Sequence, residues 1–213
     1  TNPTLPADGS GDDKIQAYTF RMCLTDVPAN RVPLAKPAGY DANQYILLKR
    51  YMDAGYRTFF KKFDRIPNGK TDSNNQHLAL ISTDLPEENY PWPTADWAWR
   101  DRFAQRLRDY TLGLLWFAQN DEELPAEFRA QCRRWGFARD EYTDNGCFPR
   151  QVYVREGRRI EGEHLFVAAD ALPVSPGARP PIYATSVTAS HYALDSHAVR
   201  KREPGKTCLD GFL

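Results

Sequence analysis

The chain has 213 residues, 41% of them hydrophobic and 26% charged, which is room for one full-sized domain with a buried core. A disordered chain, a collagen and a disulfide mini-scaffold are excluded. Lys plus Arg number 28 and Asp plus Glu 28, and the zero net charge removes the usual electrostatic case for a nucleic-acid or anionic-membrane partner.

Residues 1–14 are small, polar and rich in Gly and Asp, and read as a linker. Ile15 to Thr25 reads as a strand, with Tyr18, Phe20, Met22 and Leu24 on one face and Thr19, Arg21 and Cys23 on the other. A charged Arg21 in mid-strand means that its face looks to solvent, a cleft or a second domain. Pro28, Pro33 and Pro37 make the next stretch an extended connection. Asp41 suits a helix N-cap, with Gln44 three residues on to reach back. Tyr45, Leu48, Met52 and Tyr56 then follow at helical spacing, with Gly55 near the end. Ile66 to Asn75 is too rich in turn formers to be regular.

Thr94 opens the strongest helix, in which Trp99, Phe103, Leu107, Tyr110, Leu114 and Phe117 keep steps of three and four until near Asn120. Pro125 suits the first position of another helix, and Gly136 suits its C-terminal cap. Gln151 to Arg155 reads as a short strand running into the charged stretch Glu156 to Glu163. Leu165 to Ala169 fits either strand or helix. A Pro-rich loop from Pro173 to Pro181 precedes a last polar strand, Thr185 to Val199. With no repeats, no heptads and no regular βαβ alternation, the class expected is α+β, a mixed β-sheet with packed helices. The chain opens Thr1-Asn2-Pro3-Thr4 without a leader to read, and closes on Cys208-Leu209-Asp210-Gly211-Phe212-Leu213. Both ends read as cut from a longer protein. The longest apolar run, Leu112 to Ala118, is far short of a membrane span.

Motif tests narrow the chemistry. Gly9-Ser10-Gly11 fails as a dinucleotide-binding turn: the third glycine position is Lys14, no strand precedes it, and Asp12 and Asp13 would repel phosphate. Gly69-Lys70-Thr71 fails as a P-loop because the required first glycine is Asp64 and Pro67 removes a cradle N–H. Cys23, Cys132, Cys147 and Cys208 show no C-x-x-C, so no zinc ribbon or iron–sulfur cluster is read; buried small hydrophobes are the better reading. On a strand, His191, Asp195 and His197 would share one face, but a flat strand would space them apart, which favours a hydrogen-bonded cleft histidine over a metal. Arg155, Arg158 and Arg159, interleaved with Glu156, Glu161 and Glu163, fit a solvated helix face or guanidiniums that bind an anion. Trp92, Trp97, Trp99, Trp116 and Trp135 fit core packing better than sugar stacking.

Together, Ile15 to Thr25, Pro67 to Asn75, Tyr153-Val154-Arg155-Glu156-Gly157-Arg158-Arg159 and Asp195-Ser196-His197 occur in an order that resembles the FAD-dependent oxidoreductase family, among the heterodisulfide reductase A-like flavoproteins. The resemblance runs from about Gly9 to Lys201. His191 departs from the small residue expected there, and Gly157 replaces an alanine. The resemblance implies a two-domain flavoprotein whose Rossmann-type lobe binds FAD. Residues 15–200 would then be the substrate or cap domain that closes over the isoalloxazine, and residues 201–213 the start of the return to the FAD domain. No iron–sulfur cluster is carried over, because the cysteines offer none. The roles it implies are His197 and Arg155 as catalytic, with His197 a general base or hydrogen-bond donor. Arg21, Arg159, Asn74, Asn75 and His191 would bind an anionic or polyhydroxylated small-molecule substrate, and Lys70 and Arg158 would bind the cofactor. The competing classes are a non-enzymatic carbohydrate-binding module and a structural α+β interaction domain.

Overall fold

The alternation across residues 15–25 survives in the computed structural model, which describes residues 12–56, 63–74, 81–191 and 196–201. Tyr18, Phe20, Met22 and Leu24 all lie in the core. Strand β1 (Met22–Thr25) is shorter than expected. The residues before it stay extended, with single bridges from Tyr18 to Leu85 and from Thr19 to Tyr153. β1 is the central strand of a five-stranded sheet ordered β2-β5-β1-β4-β3, with β2 (Arg31–Val32), β3 (Phe63–Ile66), β4 (Lys70–Ser73) and β5 (Gly136–Ala138). Its central place explains why Thr19 and Cys23 on the second face are also buried, leaving Arg21 exposed. The class is α+β as expected, and every pairing within the sheet is antiparallel.

The stretch from Ile66, expected to be irregular, is the turn and second arm of a hairpin. Asn68 and Gly69 take φ of 65° and 69°, left-handed values that asparagine and glycine adopt most readily, and the chain reverses between Ile66 and Lys70. β4 lacks apolar residues because its inward side chains satisfy one another. Thr71 Oγ1 donates to the Leu24 carbonyl at 3.0 Å and lies 2.7 Å from Ser73 Oγ. A buried hydroxyl that is fully hydrogen-bonded costs little, so composition alone hides the strand.

The Asp41 cap forms, its carboxylate accepting from Asn43 N at 2.9 Å ahead of a 3₁₀ turn (Ala42–Tyr45) and α1 (Ile46–Asp53). Gln44 does not reach back; its Oε1 accepts from Arg106 at 2.9 Å. α2 (Trp97–Asn120) begins after Asp96 rather than Thr94, because the Asp96 carboxylate caps Trp99 N at 2.7 Å. Phe103, Leu107, Tyr110, Leu114 and Phe117 are buried along it. Pro125 precedes α3 (Ala126–Arg133), but Gly136 is not its cap. It starts β5, where a Cβ would overlap the Val32 carbonyl oxygen. The end of α3 is closed instead by Gln119, whose Nε2 donates to the carbonyls of Cys132 and Trp135 at 3.0 and 2.9 Å.

Beyond Tyr153 regular structure thins to one short helix, α4 (Ala168–Ala171). The expected strand Thr185 to Val199 does not form among its described residues; residues 192–195 lie outside the description. Its polar alternation offers no apolar face to dock on a sheet. Residues 196–201 instead run beside residues 16–17, with Ala17 N donating to the Ala198 carbonyl at 3.0 Å.

Candidate functional site

The bridge between Thr19 and Tyr153 sets residues 153–155 beside the extended segment ahead of β1, and the bridge from Tyr18 to Leu85 brings residues 83–85 to the same place. Arg155 is therefore directed inward. Its Nε donates to the Ala17 carbonyl at 2.9 Å, and an Nη meets Asp84 Oδ1 at 3.4 Å. The other oxygen of Asp84 lies 2.9 Å from His197 Nδ1. A carboxylate can only accept, so Nδ1 carries the proton and Nε2 is the basic nitrogen of the neutral ring. The side chains of Arg155, Asp84 and His197 are only 8%, 12% and 10% exposed. Asp84 is fixed in turn by its own N–H on Ser82 Oγ at 3.0 Å, and His197 N donates to Gln16 Oε1 at 2.7 Å.

A second pair lies beside the first. Arg21 holds Asp72 in a two-pronged contact, with Nε to Oδ1 at 3.2 Å and an Nη on Oδ2. This hydrogen-bonded carboxylate raises the Arg21 pKa above its ordinary value. Asn74 Nδ2 donates to the same Asp72 at 3.1 Å. Tyr153 joins the pairs: the guanidinium carbons of Arg21 and Arg155 lie 5.1 and 4.9 Å from its ring centroid. Asn74, Asp72, Arg21, Tyr153, Arg155, Asp84 and His197 thus form one continuous polar ribbon. It is open at the Arg21 end and closed at the His197 end.

The structure brings together His197, Arg155, Arg21 and Asn74 of the residues singled out from sequence. It does not bring in the rest. Arg158 and Arg159 are exposed, with Arg159 only 3.8 Å from neighbouring Glu156, and His191 is exposed. Asn75 and Asp195 lie outside the described residues. Lys70 is sealed between Asp140 and Glu141 at 2.8 and 2.5 Å, which raise its pKa and pin the β3–β4 hairpin to the loop after β5. Asp72 and Tyr153 lie inside the motif segments Pro67 to Asn75 and Tyr153 to Arg159 but drew no role from them, and Asp84 went unmarked because it is an ordinary polar residue without periodic or motif context.

Among the described residues, no group of three or more His, Cys, Asp or Glu side chains is placed to hold a metal, and no helix is long and apolar enough to cross a membrane. Cys23, Cys132 and Cys147 are free, and burial pushes Cys23 up to about 11 and Cys132 to about 12. Cys208 lies outside the description.

These features define an α+β protein built on an antiparallel sheet, with a charge-paired polar ribbon beside the segment that leads into its central strand. The model of the FAD dependent oxidoreductase family matches residues 2–211, and the chain belongs to that family. No curated protein and no solved structure matches it. The described residues do not fit the ADP half of the FAD that the family implies. Lys70 is already neutralised by two carboxylates, and the sheet, antiparallel at every pairing, lacks the parallel strand–turn–helix unit whose amides cradle a pyrophosphate.

Proposed function

We propose that residues 15–200 are the substrate-side domain of an FAD dependent oxidoreductase, closing over a flavin whose nucleotide half is held by another domain of the same protein. Placement among the heterodisulfide reductase A-like flavoproteins belongs to this reading and rests on the sequence motifs. The reaction class is oxidation or reduction of a small molecule. The observation that carries the reading is Asp84, shared between a nearly buried Arg155 and His197. Asp84 fixes the imidazole tautomer and orientation, so His197 can exchange a substrate proton at Nε2. Arg155 holds Asp84 in place, and Arg21 and Asn74 orient the substrate at the open end.

His197→Ala in the full-length flavoprotein should slow substrate reduction of the flavin on the order of 10²–10⁴-fold, followed by stopped-flow absorbance. An unchanged rate would sink the proton-transfer role.

One set of contacts favours a second, structural reading. Residues 196–201 are tied to the body by the bond from Ala17 to Ala198, by Tyr90 Oη on the Val199 carbonyl, and by Lys201 N on Glu87 Oε1 at 2.7 Å. If His197 is a clamp, its removal lowers stability while the folded fraction keeps its full rate.

A further inference from the structure

The charges along the ribbon cancel in pairs. Arg21 is matched by Asp72 and Arg155 by Asp84, each within hydrogen-bond reach. A lone guanidinium selects an anion; a guanidinium already paired offers a neutral surface that presents donors and acceptors side by side. The open end has this mixed character. The Arg21 side chain is 46% and the Asp72 side chain 22% exposed, with the Asn74 amide on the same carboxylate. Tyr153, itself 39% exposed, adds a hydroxyl and a ring edge between the two pairs. Both guanidiniums sit against that one ring, which links the open pair to the nearly buried one.

Such a surface suits a ligand whose every polar group both donates and accepts. A hydroxyl does this; a carboxylate or phosphate only accepts, and would meet the Asp72 and Asp84 oxygens as like charges. We propose that the open end of the ribbon binds a neutral polyhydroxylated substrate of carbohydrate type, its hydroxyls bridging Arg21 with Asp72 and one hydroxyl meeting Tyr153. This rests on the reading of the chain as the substrate side of the enzyme and narrows the anionic-or-polyhydroxylated choice left by the sequence to its second member. Asp72 is then a specificity-determining residue, because it cancels the charge that would otherwise favour an anion.

The test is direct binding to the full chain, without flavin turnover. D-glucose, D-galactose and D-xylose are titrated beside D-gluconate, D-galactonate and D-xylonate, followed by NMR shifts of the Tyr153 ring and Arg21 side chain. The neutral sugars should bind at these residues in preference to their carboxylates. Asp72→Asn should reverse the order, weakening neutral sugars about tenfold while strengthening the carboxylates. Arg21→Gln should weaken both series without reversal, so a general loss of structure cannot imitate the switch. Carboxylate preference in the unmodified chain, binding of neither series, or an Asp72→Asn variant that keeps the neutral preference overturns the assignment. The proton-transfer role in the reading on which this rests fails separately, when His197→Ala leaves flavin reduction unchanged.

Discussion

The body of the chain and the stretch from Glu156 to His191 contain apolar residues of the same kinds and treat them in opposite ways. In the body, Leu48, Leu107 and Leu114 are fully buried; in the later stretch Ile160, Ile182 and Val187 are 90%, 85% and 99% exposed. The difference lies in spacing. Along α2 the apolar residues recur every three or four positions, so one stripe faces the core. Between residues 156 and 191 they stand singly among charges and prolines or in the short run Leu165-Phe166-Val167, never at sustained helical spacing, and the one regular element is the four-residue α4. Local order there comes from a carboxylate: Asp170 lies 3.1 Å from His164 Nε2, accepts from Val167 N at 2.7 Å, and also accepts from the Tyr183 hydroxyl. One region is held by burial and the other by a polar clasp.

That contrast is open to attack at several points. The largest effect belongs to the body: Leu114→Ala should cost about 2–5 kcal/mol in chemical denaturation, because Leu114 is fully buried in the core and its truncation leaves a cavity. A loss near zero would mean that burial there does not carry the fold. Gly136→Ala comes next, at about 1–3 kcal/mol, since the new methyl must displace the Val32 backbone where β2 meets β5. An unaltered denaturation midpoint would show that this edge of the sheet can part freely.

The body should also respond to alkali. Burial pushes Tyr18 and Tyr45 up to about 12, against an ordinary tyrosine value of about 10. In that interval the unfolded chain ionises and the folded chain does not. Their contribution is therefore complete below about pH 10 and is lost as the pH rises toward about 12. A denaturation midpoint that stays level across this window would contradict the burial of these phenols. The smallest effects belong to the later stretch: Ile182→Ala and Val187→Ala should each change stability by less than about 0.5 kcal/mol. A larger loss in thermal unfolding would reveal packing that the exposed side chains do not have.

The site drew its candidates from the sequence and its connections from the fold. Arg21, Arg155 and His197 were legible as charged residues in resembling motifs. What joins them was not: Asp84 is 71 positions from Arg155 and 113 from His197, and no local pattern marks a carboxylate for such partners. The zero net charge of the chain, which first spoke only against polyanionic partners, recurs at the ribbon as guanidiniums and carboxylates paired one to one.

By itself, the sequence determined the α+β class, the buried face of residues 18–24, the Asp41 cap, the long helix and the family resemblance. Each of these depends on neighbours within a few positions, where periodicity and capping act. The tertiary structure alone decided that Pro67-Asn68-Gly69 turns a hairpin whose polar strand is satisfied inside the sheet. It alone moved Gly136 from a helix end to a crowded strand, and left residues 185–191 without a strand. It alone set Tyr153 between two ion pairs. The physical reason is common to all of these: hydrogen bonds and ion pairs between distant segments are satisfied only after the chain has brought them together, and nothing in local spacing records which partner each polar group will find.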